Sequence, residues 1–263
     1  MRNDKKLKKV QFLLQYDTLE DDVTQNLVYR LGEEGIKVSF ASGDALETER
    51  DDILWVTDCP ETADTYEKKV LIYLHAQNSG MDFTGCTYFI EGFEDADARY
   101  FTRIYERLHG IPWEIAKTER LNIREMTVED LDAVYSLYEN PELIPFLPPL
   151  QENREEEKEY LRRYIKNMYG IFEYGMWLIE TTDGEVVGRM GVENSEEEDV
   201  LSFGFLVHPK HWRKGYASEA GKAVLTYLEE EFPDFQIVAF CHTQNLAARN
   251  LCGKLGICVK SIM

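Results

Sequence analysis

Short apolar runs alternate with amphipathic stretches through the first 108 residues. KKVQFLLQ (8–15), IKVSFA (36–41), DILWVTD (52–58), VLIYLHA (70–76) and CTYFIEGF (86–93) have strand length and are rich in β-branched and aromatic residues. Between the first two, a helix over 17–35 places Val23, Leu27, Val28 and Leu31 on one face, and Gly32 and Gly35 mark its end. A short helix is expected from Cys59-Pro60 through Lys68, and a longer one over 94–108. Strands alternating with helices predict a small Rossmann-like parallel-sheet layer.

The pattern changes after Pro112. LNIRE (121–125) reads as a strand. Thr127-Val-Glu-Asp130 has capping-box geometry, and the helix behind it lines up Leu131, Val134, Tyr135 and Tyr138. ENPELIPFLPPL (139–150) is too rich in proline for a continuous helix, whereas 152–169 reads as one charged amphipathic helix. MWLIET, EVVGRMGVE and VLSFGFLV predict three antiparallel strands, the first two joined by a tight Thr182-Asp183-Gly184 turn. A helix over 215–230, a strand at FQIVAFCH (235–242) and a helix from Asn245 to Leu255, stopped by Gly256, complete the order. The chain is therefore expected to be α/β with two domains. Residues 1–112 form the Rossmann-like one, and 113–263 form a mixed, mostly antiparallel sheet flanked by helices.

Composition narrows the function. The 263 residues carry a formal net charge of −20, the wrong balance for neutralising nucleic-acid phosphates or an anionic membrane. It suits a cationic partner, and it equally suits plain solubility. The five cysteines form no C-x-x-C pair, so no metal site is expected and reduced thiols of a cytoplasmic protein are. The basic N-terminus lacks the apolar length of a signal peptide, and no run has the length of a membrane span.

Candidate chemistry concentrates in LSFGFLVHPKHWRKGYASEAGKAVLTYLEE (201–230). A strand ends at Pro209, a basic loop with Lys210, Arg213 and Lys214 follows, and Gly215-Tyr216-Ala217 opens a long helix. Unpaired amides at a helix start, small residues and local positive charge suit a diphosphate. A turn glycine among solvated lysines and arginines would give the same string.

Three segments together resemble the GNAT N-acetyltransferase superfamily, in particular the branch of ribosomal-protein N-terminal acetyltransferases. They are TERLNIREMTVEDLDAVYSLYENPE, HPKHWRKGYASEA and NLAARNLCGKLGI, in the family's order, across roughly the last 145 residues. The resemblance implies acetyl-CoA as cosubstrate and a primary amine as acceptor. It places the pyrophosphate on the amides of Arg213, Lys214, Gly215, Tyr216 and Ala217, with Ser218 in the same signature. It pairs the pantetheine arm with Leu206 and Val207, makes the Val207 amide an oxyanion donor, and gives Asn245 a hydrogen bond to the arm. His208 stands at the loop's mouth, as a proton carrier, a packing group or a phosphate contact.

The sequence departs from the family at several positions. Ser202 stands where many relatives have a glutamate base, which leaves Glu193 as base or as an exposed strand-end carboxylate. Cys252 stands where some relatives use a tyrosine to protonate the thiolate, as a weak acid or as a small buried hydrophobe. Ala248 and Ile257 replace a serine and a phenylalanine of the closing motif. Tyr169, Phe172, Tyr174 and Trp177, with the IPFLPPL segment, are candidates to line an acceptor pocket, with core packing the stronger reading for Trp177. The ICVKSIM tail is expected to lack a full closing strand, with a second copy in a homodimer, the N-terminal domain or the tail itself covering the edge.

The first domain faintly resembles haloacid-dehalogenase-like phosphatases, with Asp58 at a strand end but no convincing D-x-D pair. A degenerate, non-catalytic domain is the expectation there. The leading function is acetyl transfer from acetyl-CoA to a small-molecule or peptide amine, cationic in character, by direct attack in a ternary complex. The alternative is an acyl-CoA sensor without turnover.

Overall fold

The computed structural model describes residues 6–16, 19–41, 51–141, 146–147 and 149–262. These divide into two compact units, Met1–Ile111 and Pro112–Met263. Among them, no helix is long and apolar enough to cross a membrane.

In the first unit, β1 (Lys9–Leu13), α1 (Asp21–Glu33), β2 (Lys37–Ala41), β3 (Ile53–Thr57), α2 (Pro60–Thr65), β4 (Leu71–Tyr73), β5 (Tyr88–Ile90) and α3 (Ala98–Leu108) follow one another. All five strands are parallel, in the order β2-β1-β3-β4-β5. β3 is buried along its whole length, which explains why ILWVT shows no alternation. The order reverses between β1 and β3, and Asp58 lies at the carboxyl end of β3, where such sheets bind ligands. Here the aspartate is spent on structure. Its side chain is fully buried, accepts the amides of Gln15 at 2.7 Å and Tyr16 at 3.1 Å, and meets His75 Nε2 at 3.2 Å. A phosphatase nucleophile needs an approachable oxygen, and Asp58 offers none. Asp17, in the stretch searched for an aspartate pair, lies outside the described residues.

The second unit contains β6 (Glu114–Lys117), β7 (Leu121–Arg124), α4 (Leu131–Leu137), α5 (Arg154–Tyr164), β8 (Met176–Thr181), β9 (Val186–Asn194), β10 (Val200–Val207), α6 (Tyr216–Glu231), β11 (Gln236–His242), α7 (Leu246–Leu255) and β12 (Cys258–Ile262). One seven-stranded sheet runs β12-β11-β10-β9-β8-β7-β6, antiparallel from β6 to β10 and parallel from β10 to β12. The expected capping box forms at Thr127 and Asp130. Trp177 is buried edge-on to Tyr227 of α6, and Val224 and Leu228 lie in the same core.

Two elements differ from expectation. The helix read over 152–169 is α-helical only to Tyr164, and Ile165–Phe172 continues as a π-helix that stops where Glu173 turns left-handed at φ 62°. The wider turn brings Tyr164 and Tyr169 to one side, with ring centroids 5.6 Å apart. Their hydroxyls hold the start of β8: Tyr164 accepts the Met176 amide at 2.6 Å, and Tyr169 donates to the Met176 carbonyl. The tail also forms a strand. β12 pairs in parallel with β11 through five residues, from Val238↔Cys258 to His242↔Ile262.

A half-buried ion cluster ties β7 to β8 and α4. Arg124 donates to both carboxylate oxygens of Asp130, at 2.7 and 2.8 Å, and through Nε to Glu180 at 2.8 Å. Burial pushes the Asp130 carboxyl up, but the guanidinium and the Thr127 amide outweigh it and hold it below the usual carboxylate range. A depressed folded-state pKa stabilises above the unfolded pKa, so this contribution is present at neutral pH and is lost as pH falls through the folded value. Arg124→Met leaves two carboxylates without their cation and is expected to cost about 3–5 kcal/mol. Urea unfolding at pH 7 checks this; a loss below about 1 kcal/mol would place the cluster in the weak surface class.

Candidate active site

β10 leads directly into the site. His208 follows it, and its Nδ1 accepts the Lys210 amide at 3.3 Å across a 3₁₀ turn, Pro209–His211. Trp212 Nε1 folds back to donate to the Val207 carbonyl at 2.7 Å. Arg213 and Gly215 then adopt left-handed conformations, at φ 61° and 84°, and α6 begins. The first capping bond runs from Glu219 N to Gly215 O at 3.0 Å. Among the described residues, none of the six preceding N–H groups, from Arg213 to Ser218, has an acceptor. Left-handed residues beside a helix start turn successive amides inward, and the helix dipole adds to their positive end. Such a run of free donors at a helix start is chemically suited to a phosphate.

A residue not anticipated from sequence supports this loop. Arg120, between β6 and β7, donates to Glu219 through Nε at 2.8 Å and to the Lys214 carbonyl at 3.1 Å, and lies 4.9 Å over the Tyr216 ring. Partial burial pushes the Glu219 carboxyl up, but hydrogen bonds from Thr118 and Arg120 hold it below its usual value. The charged brace fixes the loop's shape and adds a cation beside the free amides. Lone arginines in a turn carry no sequence signal for this role.

Next to the cradle, the sheet opens. β10 and β11 pair only at Val200↔Gln236, Leu201↔Ile237 and Ser202↔Val238, and part beyond. On its other edge β10 stays in register with β9 to Val207↔Gly188, and His208 N continues the ladder to Val187 O at 2.9 Å. Antiparallel residues alternate between bonding inward and outward. His208, Leu206 and Gly204 therefore turn their main-chain groups to β9, while Val207 and Phe205 turn theirs to the gap. The Val207 N–H faces the opening, as an oxyanion donor requires. Leu206 does not: its N–H and carbonyl belong to the β9 ladder, and it meets the cavity as a wall residue. Phe205, not singled out from the sequence, turns its main chain to the gap as well.

A cavity of about 310 Å³ occupies the gap, walled by Leu206, Phe205, Met176, Phe146, Cys241 and Ala248 among others. Asn245 reaches it too; its Oδ1 caps α7 by accepting the Ala248 amide at 3.0 Å, which leaves its NH₂ for a ligand. Glu193 lines the cavity directly opposite Ser202 in the β9–β10 register. Facing pairs lie on one sheet face, so the carboxylate stands one strand over from Ser202. Of the IPFLPPL segment, Phe146 and Leu147 line the cavity, and Ile144, Pro145 and Pro148 lie outside the described residues. Tyr169, Phe172, Tyr174 and Trp177 do not line it: Tyr169 and Trp177 are core, and Tyr174 donates to Asn194 Oδ1 at 2.6 Å. Tyr138 and Arg189 line it instead.

Residues 120–257 match the family model described as acetyltransferase (GNAT) domain. The chain belongs to the GNAT acetyltransferase family. It is similar to two *Bacillus subtilis* proteins: the uncharacterized N-acetyltransferase YnaD, 27% identical over 53% of this chain and 80% of that one, and the uncharacterized protein YkkB, 26% identical over 53% and 83%. Among solved structures, the ribosomal L7/L12 α-N-protein acetyltransferase RimL in complex with coenzyme A is 18% identical, with a TM-score of 0.48 over 54% of this chain and 82% of that one.

As a GNAT member the protein is an acyltransferase. One expected participant is misplaced. Cys252 is fully buried and does not line the cavity, and burial, followed by the neighbouring Cys241 thiol, pushes it up to about 12. A shielded neutral thiol packs as a small hydrophobe and protonates nothing. Cys252→Ala is expected to leave turnover within about two-fold of wild type, because general-acid loss would cost at least about 10²-fold; steady-state kinetics decide.

Proposed function

We propose that this enzyme transfers an acetyl group from acetyl-CoA to a primary amine by direct attack in a ternary complex. The observation that carries the reading is the run of six unpaired amides from Arg213 to Ser218, adjoining a strand edge left open at Phe205 and Val207. A diphosphate and an extended amide-bearing arm are the ligand parts that such donors match. The residues fit coenzyme A: the cradle and Arg120 take the pyrophosphate, the main chain of Phe205 and Val207 takes the arm in the manner of an added strand, and the Asn245 NH₂ supports it.

Bound there, acetyl-CoA supplies an activated acyl thioester. The Val207 N–H points into the gap and donates to carbonyl oxygen as negative charge develops on it. Glu193, at the acceptor side, takes the proton that the amine sheds as the C–N bond forms; the C–S bond then breaks and coenzyme A leaves as a thiolate that takes a proton from solvent. The aromatic and aliphatic cavity wall limits water access to the thioester.

Thiol release from acetyl-CoA, followed with a chromogenic disulfide across a panel of amines, tests the proposal. Amine-dependent release with formation of the N-acetyl product is expected. Tight acetyl-CoA binding with no release for any amine would instead favour an acyl-CoA sensor.

A further inference from the structure

Arg189 sits at the middle of β9 between Gly188 and Met190, both of them buried, and its side chain reaches the cavity. Among the described residues, no hydrogen bond or ion pair engages its guanidinium. Its surroundings are Tyr138, Tyr164, Tyr169 and Glu193; burial alone disfavours its charge, and these groups more than restore it. A guanidinium in such a place presents five donors in a planar fork, the geometry that matches carboxylate and phosphate. Arg189 is half-buried rather than interior, and with no acceptor from the described residues its fork is open to an anion that enters the cavity.

The register fixes what lies around it. Arg189 faces Leu206, Gly191 faces Gly204 and Glu193 faces Ser202, all on one side of the sheet. The cation and the carboxylate are thus four residues apart on one strand, about 13 Å between Cα atoms. The rung between them carries no side chains. Gly191 is required there, because a Cβ would strike the Gly175 carbonyl, and the Met176 thioether lies within van der Waals reach of Gly204. Glu193 forms no ion pair with Arg189, and the Tyr138 hydroxyl is also free of hydrogen bonds among the described residues. One cavity is therefore bordered by a half-buried cation, an exposed strand-end carboxylate and a phenol around an apolar floor.

We infer that the acceptor is a small zwitterion that carries a carboxylate or phosphate beside its reactive amine, with Arg189 binding the anion and Glu193 facing the amine. The inference rests on the acetyl-transfer reading and replaces the cationic acceptor that the net charge suggested. The −20 is summed over the whole chain, whereas the acceptor meets the cavity. A volume near 310 Å³, part of it claimed by the acyl end of the coenzyme, suits a small molecule.

The test uses the full chain and two matched sets of acceptors: L-phenylalanine, L-phenylalaninamide and phenethylamine; and phosphoethanolamine with ethanolamine. Thiol release gives kcat/KM for each. Calorimetry on the coenzyme A-loaded protein gives binding of each, independently of turnover. The account expects the anionic member of at least one set to exceed its neutral counterpart by about 10²-fold or more in kcat/KM. Which set shows it separates carboxylate from phosphate. In Arg189→Gln the preference should shrink to within about five-fold, and Arg189→Lys should retain part of it, since it keeps the charge and loses the fork. A purely structural arginine would lower every acceptor alike and leave the ratio unchanged. Thiol release blind to the anion, or a preference intact in Arg189→Gln, overturns the Arg189 assignment and leaves acetyl transfer standing. Anion-dependent binding without thiol release overturns acetyl transfer and leaves the Arg189 site standing. Neither binding nor release with any member overturns both.

Discussion

Gly215→Val is expected to weaken acetyl-CoA binding at least about 100-fold while leaving the protein folded, since a β-branched residue strongly disfavours left-handed backbone. Gly215 has φ 84°, and a Cβ there would come within 3.4 Å of Arg120 Nη2. Valine must therefore either carry strain or turn the loop, and turning it scatters the amides of residues 213–218. It would also crowd the guanidinium that braces Lys214 and Glu219. The position precedes α6 and is exposed, so the core of the second unit has no stake in it. Calorimetric titration of the variant checks the binding, and circular dichroism checks the fold. Unchanged affinity in a folded variant would remove the amide cradle from coenzyme recognition.

The second large effect concerns Glu193. Glu193→Gln keeps shape and removes the proton acceptor, and turnover is expected to fall by about 10²–10⁴-fold, the range for loss of a general base. Acetyl-CoA affinity should not change, because the carboxylate faces Ser202, far along β10 from the 213–218 loop proposed to take the pyrophosphate. The loss should also be reduced at high pH, where hydroxide takes the proton that the attacking amine sheds. A variant that turns over at full speed at neutral pH would leave the amine to deprotonate before it binds.

The contrast between these residues shows what a sequence exposes. The cradle was legible because its signal is local: a strand, a basic loop and a small-residue helix start are contiguous, and each has its own chemistry. The division of β10 into bonded and free edges was not legible. Whether Leu206, or its neighbours Phe205 and Val207, face the gap depends on register with β9, which involves residues nearly twenty positions away. Arg189 was overlooked for a related reason. Within EVVGRMGVE an arginine between two glutamates reads as ordinary alternation, and only the cavity beside β9 shows what it faces.

Other differences follow from packing. Glu152 to Tyr169 has a continuous amphipathic pattern, yet its last turn widens so that two tyrosines can hold Met176. ICVKSIM reads as too short for a strand, but after α7 the chain returns beside β11, where main-chain pairing suffices for five residues. Cys252 sits in a motif that suggested chemistry, and its burial against Cys241 made it core. In the first unit the parallel sheet was readable from the alternation of elements, while its strand order and the role of Asp58 were not. Only the loop geometry shows that two amides and an imidazole already use its oxygens.

The central claim is that the open edge of β10 and the amides at the start of α6 together hold acetyl-CoA. Titration of the intact protein with acetyl-CoA by isothermal calorimetry tests it most directly. The account predicts one site per chain with micromolar affinity, roughly −8 kcal/mol, and competition by coenzyme A. Absence of saturable binding at millimolar acetyl-CoA would contradict it.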